Sequence, residues 1–439
     1  MKERIVILGG GESGTGAALL AKAKGFDVFV SDQANLKDKY RQELVAANIP
    51  FEEGKHTPEQ ILNANVIVKS PGIPPKAEIV KAAKVKGIKI IDELEFAYPY
   101  AKGKIIAITG TNGKTTTTLL TYHLLKSAGK KVCLAGNVGQ SLARQVIDTT
   151  FDWYVIEISS YQIDGTVNFK PDVAVLLNIT PDHLDRYEYK MENYIDSKFS
   201  LLQNMTEDGV FVFCADDEVT NKEVSKRSFK FRLIPVKNIG TRMDFPSFSV
   251  PQSDTTLKGP HNIINTMSAV NAALFAGVSE SDIRAALKTF KNAPHRLESV
   301  GVINGVEFVN DSKATNVDSV IYGLGSYTKP NSLVWIAGGI DKGNDYNLIK
   351  DQVKEKVHTL ICLGKDNIKL TEFFSPIVKE IKQTQSVKEL VRMALESAKN
   401  GDVVLLSPAC ASFDLFKNYE DRGDQFRAAV LELKKEAGQ

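Results

Sequence analysis

Ile105-Ile106-Ala107-Ile108-Thr109-Gly110-Thr111-Asn112-Gly113-Lys114-Thr115-Thr116 is the stretch on which the reading of this 439-residue chain turns. Four apolar residues (Ile105 to Ile108) make a strand, a loop with two glycines follows, and a helical stretch runs from Lys114 to near Gly129. Strand, glycine loop, lysine, hydroxyl and helix make up the phosphate-loop arrangement. Backbone donors cradle phosphate, Lys114 neutralises β/γ oxygens, and Thr115 can ligate magnesium. Ile108 stands where the common eight-residue pattern has its first glycine. A cation at a helix N-terminus is electrostatically poor without an anion beside it, so Lys114 favours ATP over an idle turn.

Outward from that loop, apolar β-rich runs alternate with helical segments almost throughout, which predicts an α/β chain with mainly parallel sheets. Upstream, Ile5 to Leu8, Val28 to Val30 and Val66 to Val68 read as strands. The pattern breaks at Tyr98-Pro99-Tyr100-Ala101-Lys102-Gly103, which places a first boundary there. Downstream, strands are expected near Val132, Tyr154 to Ile158, Val173 to Leu177 and Val210 to Phe213, with short strand-like pieces between Val224 and Leu257. Ile263, Met267, Val270 and Leu274 share one face of a helix. Pro294 falls in a linker, and strands around Val302 to Phe308, Leu333 to Ile336, Thr359 to Leu363 and Val403 to Leu406 build a third unit. The expected domains are 1–98, 99–293 and 294–439, and about 150 residues per domain supports three.

Composition narrows the function classes. Hydrophobic residues make up 43% and charged residues 25%, a globular balance that excludes disordered, collagen-like and low-complexity chains. The net charge of +2 gives no electrostatic reason to expect a nucleic acid or a membrane as partner. The longest apolar runs, Ala174 to Leu177 and Val403 to Leu406, fall far short of the ~18 residues a span needs. The N-terminus reads as a strand rather than a secretory signal. Cys133, Cys214, Cys362 and Cys410 are scattered with no CxxC, which points to a reducing cytosol.

Gly9-x-Gly11-x-x-Gly14 also joins a strand to a helix, and Asp32 ends the next strand 18 residues past Gly14. Such glycines let backbone N–H groups approach a diphosphate, while the acid meets a ribose or a base. The same residues also serve a tight turn. A nucleotide diphosphate is favoured over the empty turn, and the loop alone does not choose between NAD and another nucleotide. Ser70-Pro71-Gly72 either adds donors or only turns the chain. Glu157, at a strand end, holds magnesium or stands as an exposed acid. In Asn178-Ile179-Thr180-Pro181-Asp182-His183-Leu184-Asp185 the histidine suits a metal ligand, a general base or a surface turn. Lys198, 15 residues on, reads by itself as a solvated charge.

Together these pieces resemble the Mur ligase family, which joins amino acids to UDP-linked peptidoglycan precursors using ATP. The resemblance rests on Thr109 to Thr116, Glu157, Asn178 to His183, His261-Asn262-x-x-Asn265, His295-Arg296 and Asn310-Asp311-Ser312-Lys313-Ala314-Thr315-Asn316, in the family's order. Four further stretches point to the members that add D-glutamate: Gly9 to Gly16, Ser70 to Pro74, Ile158 to Gln162 and Leu406 to Asp414. No Asp-Asn-Pro-Arg, the mark of lysine- or diaminopimelate-adding relatives, is present. The resemblance implies a Rossmann-like N-terminal domain, a central P-loop ATPase-like domain and a Rossmann-like C-terminal domain.

It also implies a reaction. ATP phosphorylates the carboxylate of UDP-N-acetylmuramoyl-L-alanine, the amine of D-glutamate attacks the acyl phosphate, and ADP and phosphate leave. By the same resemblance, Gly110, Thr111, Asn112, Gly113, Lys114, Thr115, Thr116, Asn262, Asn265, Arg296 and Asp311 bind ATP. Thr115, Glu157, His183 and Lys198 hold magnesium, two ions in all, with Lys198 carbamylated; Lys114, His183, Lys198 and Lys313 are catalytic. The UDP substrate falls to Gly11, Ser13, Gly14, Asp32, Ser70, Gly72, Asn137 and Gln162, and D-glutamate to Thr315, Lys342, Ser412, Phe413 and Tyr419. Read without the resemblance, Arg296 also suits a linker ion pair, Asp311 a turn cap, and Ser412-Phe413 a helix cap with packing. A monomer in the bacterial cytoplasm is expected. Two alternatives stand beside this reading: a Mur-type ligase for another amino acid, and a nicotinamide-dependent oxidoreductase built on Gly9 to Gly14.

Overall fold

Buried, β-branched runs lay out the first sheet. Arg4–Leu8 pairs in parallel with Asp27–Ser31 on one side and Val66–Lys69 on the other, and Phe51–Glu52 and Lys89–Ile91 complete five parallel strands. The register sets Leu8 beside both Ser31 and Lys69. The loops beginning at Gly9, Asp32 and Ser70 therefore leave one edge, the carboxyl ends where α/β sheets hold ligands. The computed structural model describes residues 2–438. Contact density divides it into two units, Met1–Thr256 with Ile264–Phe290, and Leu257–Ile263 with Lys291–Gln439.

The first unit holds a second sheet, again parallel throughout. Its order is Arg232–Val236, Val210–Cys214, Val173–Leu176, Lys104–Thr109, Trp153–Glu157, Val132–Gly136. Ile108 lies beside Glu157 and Thr109 beside Leu176, so the Gly110–Lys114 loop, Glu157 and the chain after Leu176 share an edge. The two sheets share an apolar core that includes Ile5, Val30, Ile105, Ala107 and Tyr154. The helix Glu12–Ala23 approaches the short helix Leu142–Gln145 so closely that a Cβ on Gly16 would stand 2.0 Å from Ser141 Oγ. Two side-chain contacts brace the approach: Arg144 donates to Glu12 at 3.0 Å, and Glu93 accepts from the Ala143 N–H. Between Val224 and Leu257 lie the edge strand and a small antiparallel pair, Arg242–Asp244 with Ser249–Pro251.

The second unit is built on six strands in the order Glu298–Ile303, Val306–Asn310, Val403–Leu406, Leu333–Ala337, Val357–Leu363, Glu380–Thr384. All pairs are parallel except the first. The expectation of one strand from Val302 to Phe308 is corrected here. The chain reverses at Asn304-Gly305, with φ of +51° and +78°, and the halves pair antiparallel. Two successive left-handed residues mark the tight hairpin turn that Asn-Gly favours. Apolar clusters cover both faces of this sheet, and Trp335 is fully buried with its Nε1 donating to Ser407 O at 2.8 Å. The helix expected from Ile263 to Leu274 is Pro260–Phe275. Among the described residues no helix is long and apolar enough to cross a membrane.

Candidate active site

Lys104–Thr109 delivers the chain into a loop that only small residues can form. Gly113, at φ +85°, is the left-handed residue before the helix Lys114–Ser127, and a Cβ there would stand 2.4 Å from Asn265 Oδ1. Asn265 also accepts from Thr117 Oγ1 at 3.3 Å. Asn178 brackets the loop from the neighbouring strand end. Its Oδ1 accepts from Asn112 N at 2.8 Å, its Nδ2 donates to Asn112 O at 3.1 Å, and its carbonyl accepts from Thr111 N. Thr111 Oγ1 donates to Thr180 O at 3.1 Å and lies 3.1 Å from Tyr194 OH. Lys114 Nζ donates to Gly110 O and Thr111 O, each at 2.8 Å, so its charge rests on the loop itself. Thr115 and Thr116 occupy the first turn behind it, Thr116 buried.

At the same edge Glu157 is 5% exposed, and its Oε2 has no hydrogen-bond partner. A buried carboxylate oxygen is costly in that state and fits a cation. The reading of Glu157 as an exposed acid is therefore corrected. Lys198, on the helix Met191–Phe199, is 2% exposed, with Nζ 4.6 Å from the Tyr194 ring centre. Burial pushes its amine well below the usual lysine range, and the charge of Lys114 pushes the same way. It is not the solvated charge the bare sequence suggests. His183 is exposed, in the left-handed region at φ +53°, with Nε2 3.4 Å from Asp182 Oδ2 and its ring edge-on to Tyr161. Among the described residues no three His, Cys, Asp or Glu side chains cluster as a metal site. The expected ligands include a hydroxyl and a lysine, so such a cluster is not what they would form.

The loop at the first sheet is held differently. A Cβ on Gly14 would meet Gly9 O at 1.7 Å, whereas Gly11 faces open space. Asp32 Oδ2 accepts from Gly10 N at 2.7 Å and its Oδ1 from Ala34 N at 2.8 Å, so this carboxylate fastens the loop from within. Ser70 Oγ donates to Gly9 O at 3.2 Å. Ser13 is half-buried in the first helical turn, and Gly72 is exposed. Asn137 is exposed after Val132–Gly136, its N–H on Glu157 O. Gln162 is buried, and its Oε1 accepts from Ser159 N and Oγ in a capping box on Ser160–Ile163.

The second unit carries the remaining candidates. Asp311 is 8% exposed and accepts from Ser407 Oγ at 2.8 Å and Leu297 N at 3.2 Å; burial pushes its carboxyl up to about 7. Lys313 Nζ lies 3.7 Å from the Tyr419 ring centre. Arg296 and Thr315 are half-buried, and Asn262 is buried with Nδ2 on Lys258 O. The loops carrying Lys342 and Ser412 are hooked together: Ile340 N donates to Ala411 O at 2.7 Å and Ala411 N to Ile340 O at 3.1 Å. Ser412 is buried, while Lys342 and Phe413 are exposed. Three residues outside the sequence-derived set do structural work at these sites: Asn178, Tyr194 and Arg422. Arg422 is 1% exposed and donates to Ser312, Gly338 and Cys410, tying three loops together. In the sequence it is one charge among many on a polar helix; only Asn178 had a signal, its place directly after a strand.

Comparison with known proteins gives these sites a setting. Three domain types match the chain: a MurD N-terminal domain over residues 4–79, a Mur ligase middle domain over 108–273, and a Mur ligase, glutamate ligase domain over 295–410. A Cytophaga hutchinsonii protein named UDP-N-acetylmuramoylalanine–D-glutamate ligase is 54% identical, over 99% of this chain and 100% of its own. Proteins of the same name from Bacteroides thetaiotaomicron and Salinibacter ruber are 50% identical (98% and 100% covered) and 38% identical (98% and 98%). Solved structures share the fold. The UDP-N-acetylmuramate–alanine ligase of Thermotoga maritima matches with TM-score 0.64 at 17% identity, over 99% and 100% of the two chains. The pseudomurein peptide ligase type C of Methanothermus fervidus matches with TM-score 0.63 at 18% identity, over 98% and 100%. These full-length ligase relatives overturn the nicotinamide oxidoreductase alternative for Gly9 to Gly14. With all three domain types in order and relatives alike over nearly their whole length, the chain belongs to the Mur ligase family.

Proposed function

We propose that this chain adds D-glutamate to UDP-N-acetylmuramoyl-L-alanine at the expense of ATP, in the bacterial cytoplasm and as a monomer. The observation that carries the reading is the gathering of Lys114, the unpartnered Glu157 oxygen and the buried Lys198 about the phosphate-type loop. A carboxylate is a poor electrophile because its oxygens are anionic, and phosphorylation gives it a leaving group. The work left to the protein is positioning and charge neutralisation.

Each domain takes one share: 1–98 the UDP end, 99–293 the ATP, 294–439 the amino acid. Gly110 to Thr116 cradle the triphosphate, and Lys114 exchanges its loop carbonyls for β/γ oxygens. Asn262, Asn265, Arg296 and Asp311 hold the rest of the nucleotide, and Lys313 meets the transferring phosphoryl charge. A lysine kept neutral by burial is the form that attacks carbon dioxide: its nitrogen bonds to carbon, a proton leaves, and an anionic carbamate remains. Thr115, Glu157, His183 and the carbamate of Lys198 would hold magnesium, two ions in all, which supplies further neutralisation of phosphate charge. Gly11, Ser13, Gly14, Ser70, Gly72 and Asn137 face the UDP substrate, with Asp32 and Gln162 setting the loops that carry them. Lys342, Thr315, Ser412, Tyr419 and the Phe413 backbone take the two carboxylates of D-glutamate.

Phosphate release from purified protein, given ATP, UDP-N-acetylmuramoyl-L-alanine and single amino acids, tests the reading. Release with D-glutamate alone is expected. Release with another amino acid in its place would move the chain to a different ligase specificity, and no ADP under any condition would overturn the reading.

A further inference from the structure

Four consecutive carbonyls in the turn after Val66–Lys69 all accept from cations. Lys69 Nζ donates to Ser70 O at 3.0 Å and to Ile73 O at 2.9 Å, while Arg186 donates to Pro71 O at 3.4 Å and to Gly72 O at 2.8 Å. Among the described residues neither cation forms an ion pair with a carboxylate. Burial pushes the Lys69 amine down; Asp92 opposes that push and the nearby Arg186 charge adds to it. Two like charges thus hold one short turn, and the carboxylates that balance them, Asp92 and Asp164, line one cavity with them rather than bond to either cation.

Arg186 reaches the turn from another element. It closes the short turn Leu184–Arg186, three residues after His183, and its N–H donates to His183 O at 3.0 Å. The guanidinium lies 4.5 Å from the centre of the Tyr161 ring, and that ring meets His183 edge-on at 5.2 Å and stacks on Tyr187. Tyr161 belongs to the capped helix Ser160–Ile163, beside Gln162. Lys69, Pro71, Tyr161 and Arg186 line a cavity of about 200 Å³. Arg186 therefore meets the Ser70–Ile73 turn and the Gln162 helix through its side chain and the His183 turn through its own main chain. In a trans peptide the N–H points opposite to the carbonyl, so fixing Pro71 O also fixes the direction of the Gly72 N–H.

We propose that Arg186, assisted by Lys69, is a positioning clamp that sets the Ser70–Ile73 turn against the His183 turn, so that holding the nucleotide end of the UDP substrate also registers its carboxylate end. This rests on the ligase reading above. Arg186 acts through the turn rather than on reacting atoms, and its effect is confined to one of three substrates.

The full-length variants Arg186→Met, Arg186→Lys and Lys69→Met separate this from a merely structural role. Calorimetry reads binding of UDP-N-acetylmuramoyl-L-alanine, and steady-state kinetics reads KM for each substrate. Arg186→Met should raise Kd and KM for the UDP substrate about tenfold and leave KM for ATP and D-glutamate within about twofold. Arg186→Lys should recover part of the loss, because an ammonium keeps the charge but not the planar guanidinium's reach over the Tyr161 ring and its spaced N–H groups. Lys69→Met should act in the same direction, and the double variant should fall short of the product of the singles because both hold one turn. Should Arg186→Met unfold, Lys69→Met carries the same readout without touching the His183 turn. An unchanged KM for the UDP substrate, or three KM values rising in parallel, would overturn the clamp alone. A wild-type chain that binds no UDP substrate would overturn the ligase reading along with it.

Discussion

The loop after Arg4–Leu8 is fastened by an anion and the loop after Lys104–Thr109 by a cation, though both join a parallel strand to a helix. In the first, Asp32 accepts from Gly10 and Ala34, and the helix opens with Glu12, a charge that suits the positive helix N-terminus. In the second, the helix opens with Lys114, a charge that opposes the same dipole and donates to Gly110 O and Thr111 O. The first loop is electrostatically complete as it stands and meets a ligand through its remaining donors. The second carries a cation at its helix start, which on the proposed reading phosphate oxygens would meet.

Removing the cation should therefore have the largest consequence. Lys114→Ala is expected to slow ADP formation about a thousandfold, ~4 kcal/mol in the barrier, while calorimetric binding of the UDP substrate stays within about twofold. Turnover retained in that variant would erase the contrast between the loops. The glycines sharpen it further. A Cβ on Gly14 would run into backbone, Gly9 O at 1.7 Å, whereas one on Gly113 would meet the Asn265 side chain at 2.4 Å, which can rotate away. Gly14→Ala should cost about 3 kcal/mol or more in denaturant unfolding. Gly113→Ala should cost about 1–2 kcal/mol, for placing a side chain at positive φ. Equal losses would mean that the two turns are equally tight.

Both loops could be read from the sequence because each rests on short-range geometry: a buried strand, glycines at fixed offsets and a helix start. The phosphate-type loop, the strand end at Glu157 and the helix through Ile263 and Leu274 all follow from local pattern. What escaped was set by contacts distant in sequence. Asn178 clamps Asn112 from 66 residues away, and Arg422 reaches Ser312 from 110 residues away. No window of sequence shows that Lys198 is buried, because its helix gains its partners only when the second sheet assembles. The Asn304-Gly305 hairpin is a different kind of miss, since its turn signal stands in the sequence and was overridden by the apolar run around it.

The Glu93 brace on the helix Leu142–Gln145 is expected to titrate. Burial, with neighbouring Asp92 adding to it, pushes the Glu93 carboxyl from 4.5 up to about 8, and its Oε2 has no partner. A folded-state value above the unfolded one means this contribution to stability is complete below about pH 4.5 and is lost as pH rises through about 8. Glu93→Gln keeps an acceptor for the Ala143 N–H and cannot ionise. Its melting temperature should fall less than that of the wild type between pH 6 and pH 9, by several degrees. Parallel curves would mean that Glu93 is already ionised in the fold and that the brace is an ordinary charged contact.

Asp32→Asn should have the smallest effect, and it bears most directly on the comparison. The carboxylate accepts two backbone N–H groups, one on each oxygen. An amide offers one oxygen and turns a donor toward the other N–H, so one bond is lost while the volume is kept. That loss is worth about 1 kcal/mol, with a few-fold rise in KM for the UDP substrate as the Gly9–Gly14 loop loosens, and no change in KM for ATP. Stability and affinity should fall together, because the same bond serves both. If affinity for the UDP substrate instead collapsed a hundredfold with stability intact, Asp32 would be meeting the nucleotide directly. The first loop would then depend on its ligand's chemistry as fully as the second does, and the distinction between a loop complete in itself and a loop awaiting phosphate would be gone.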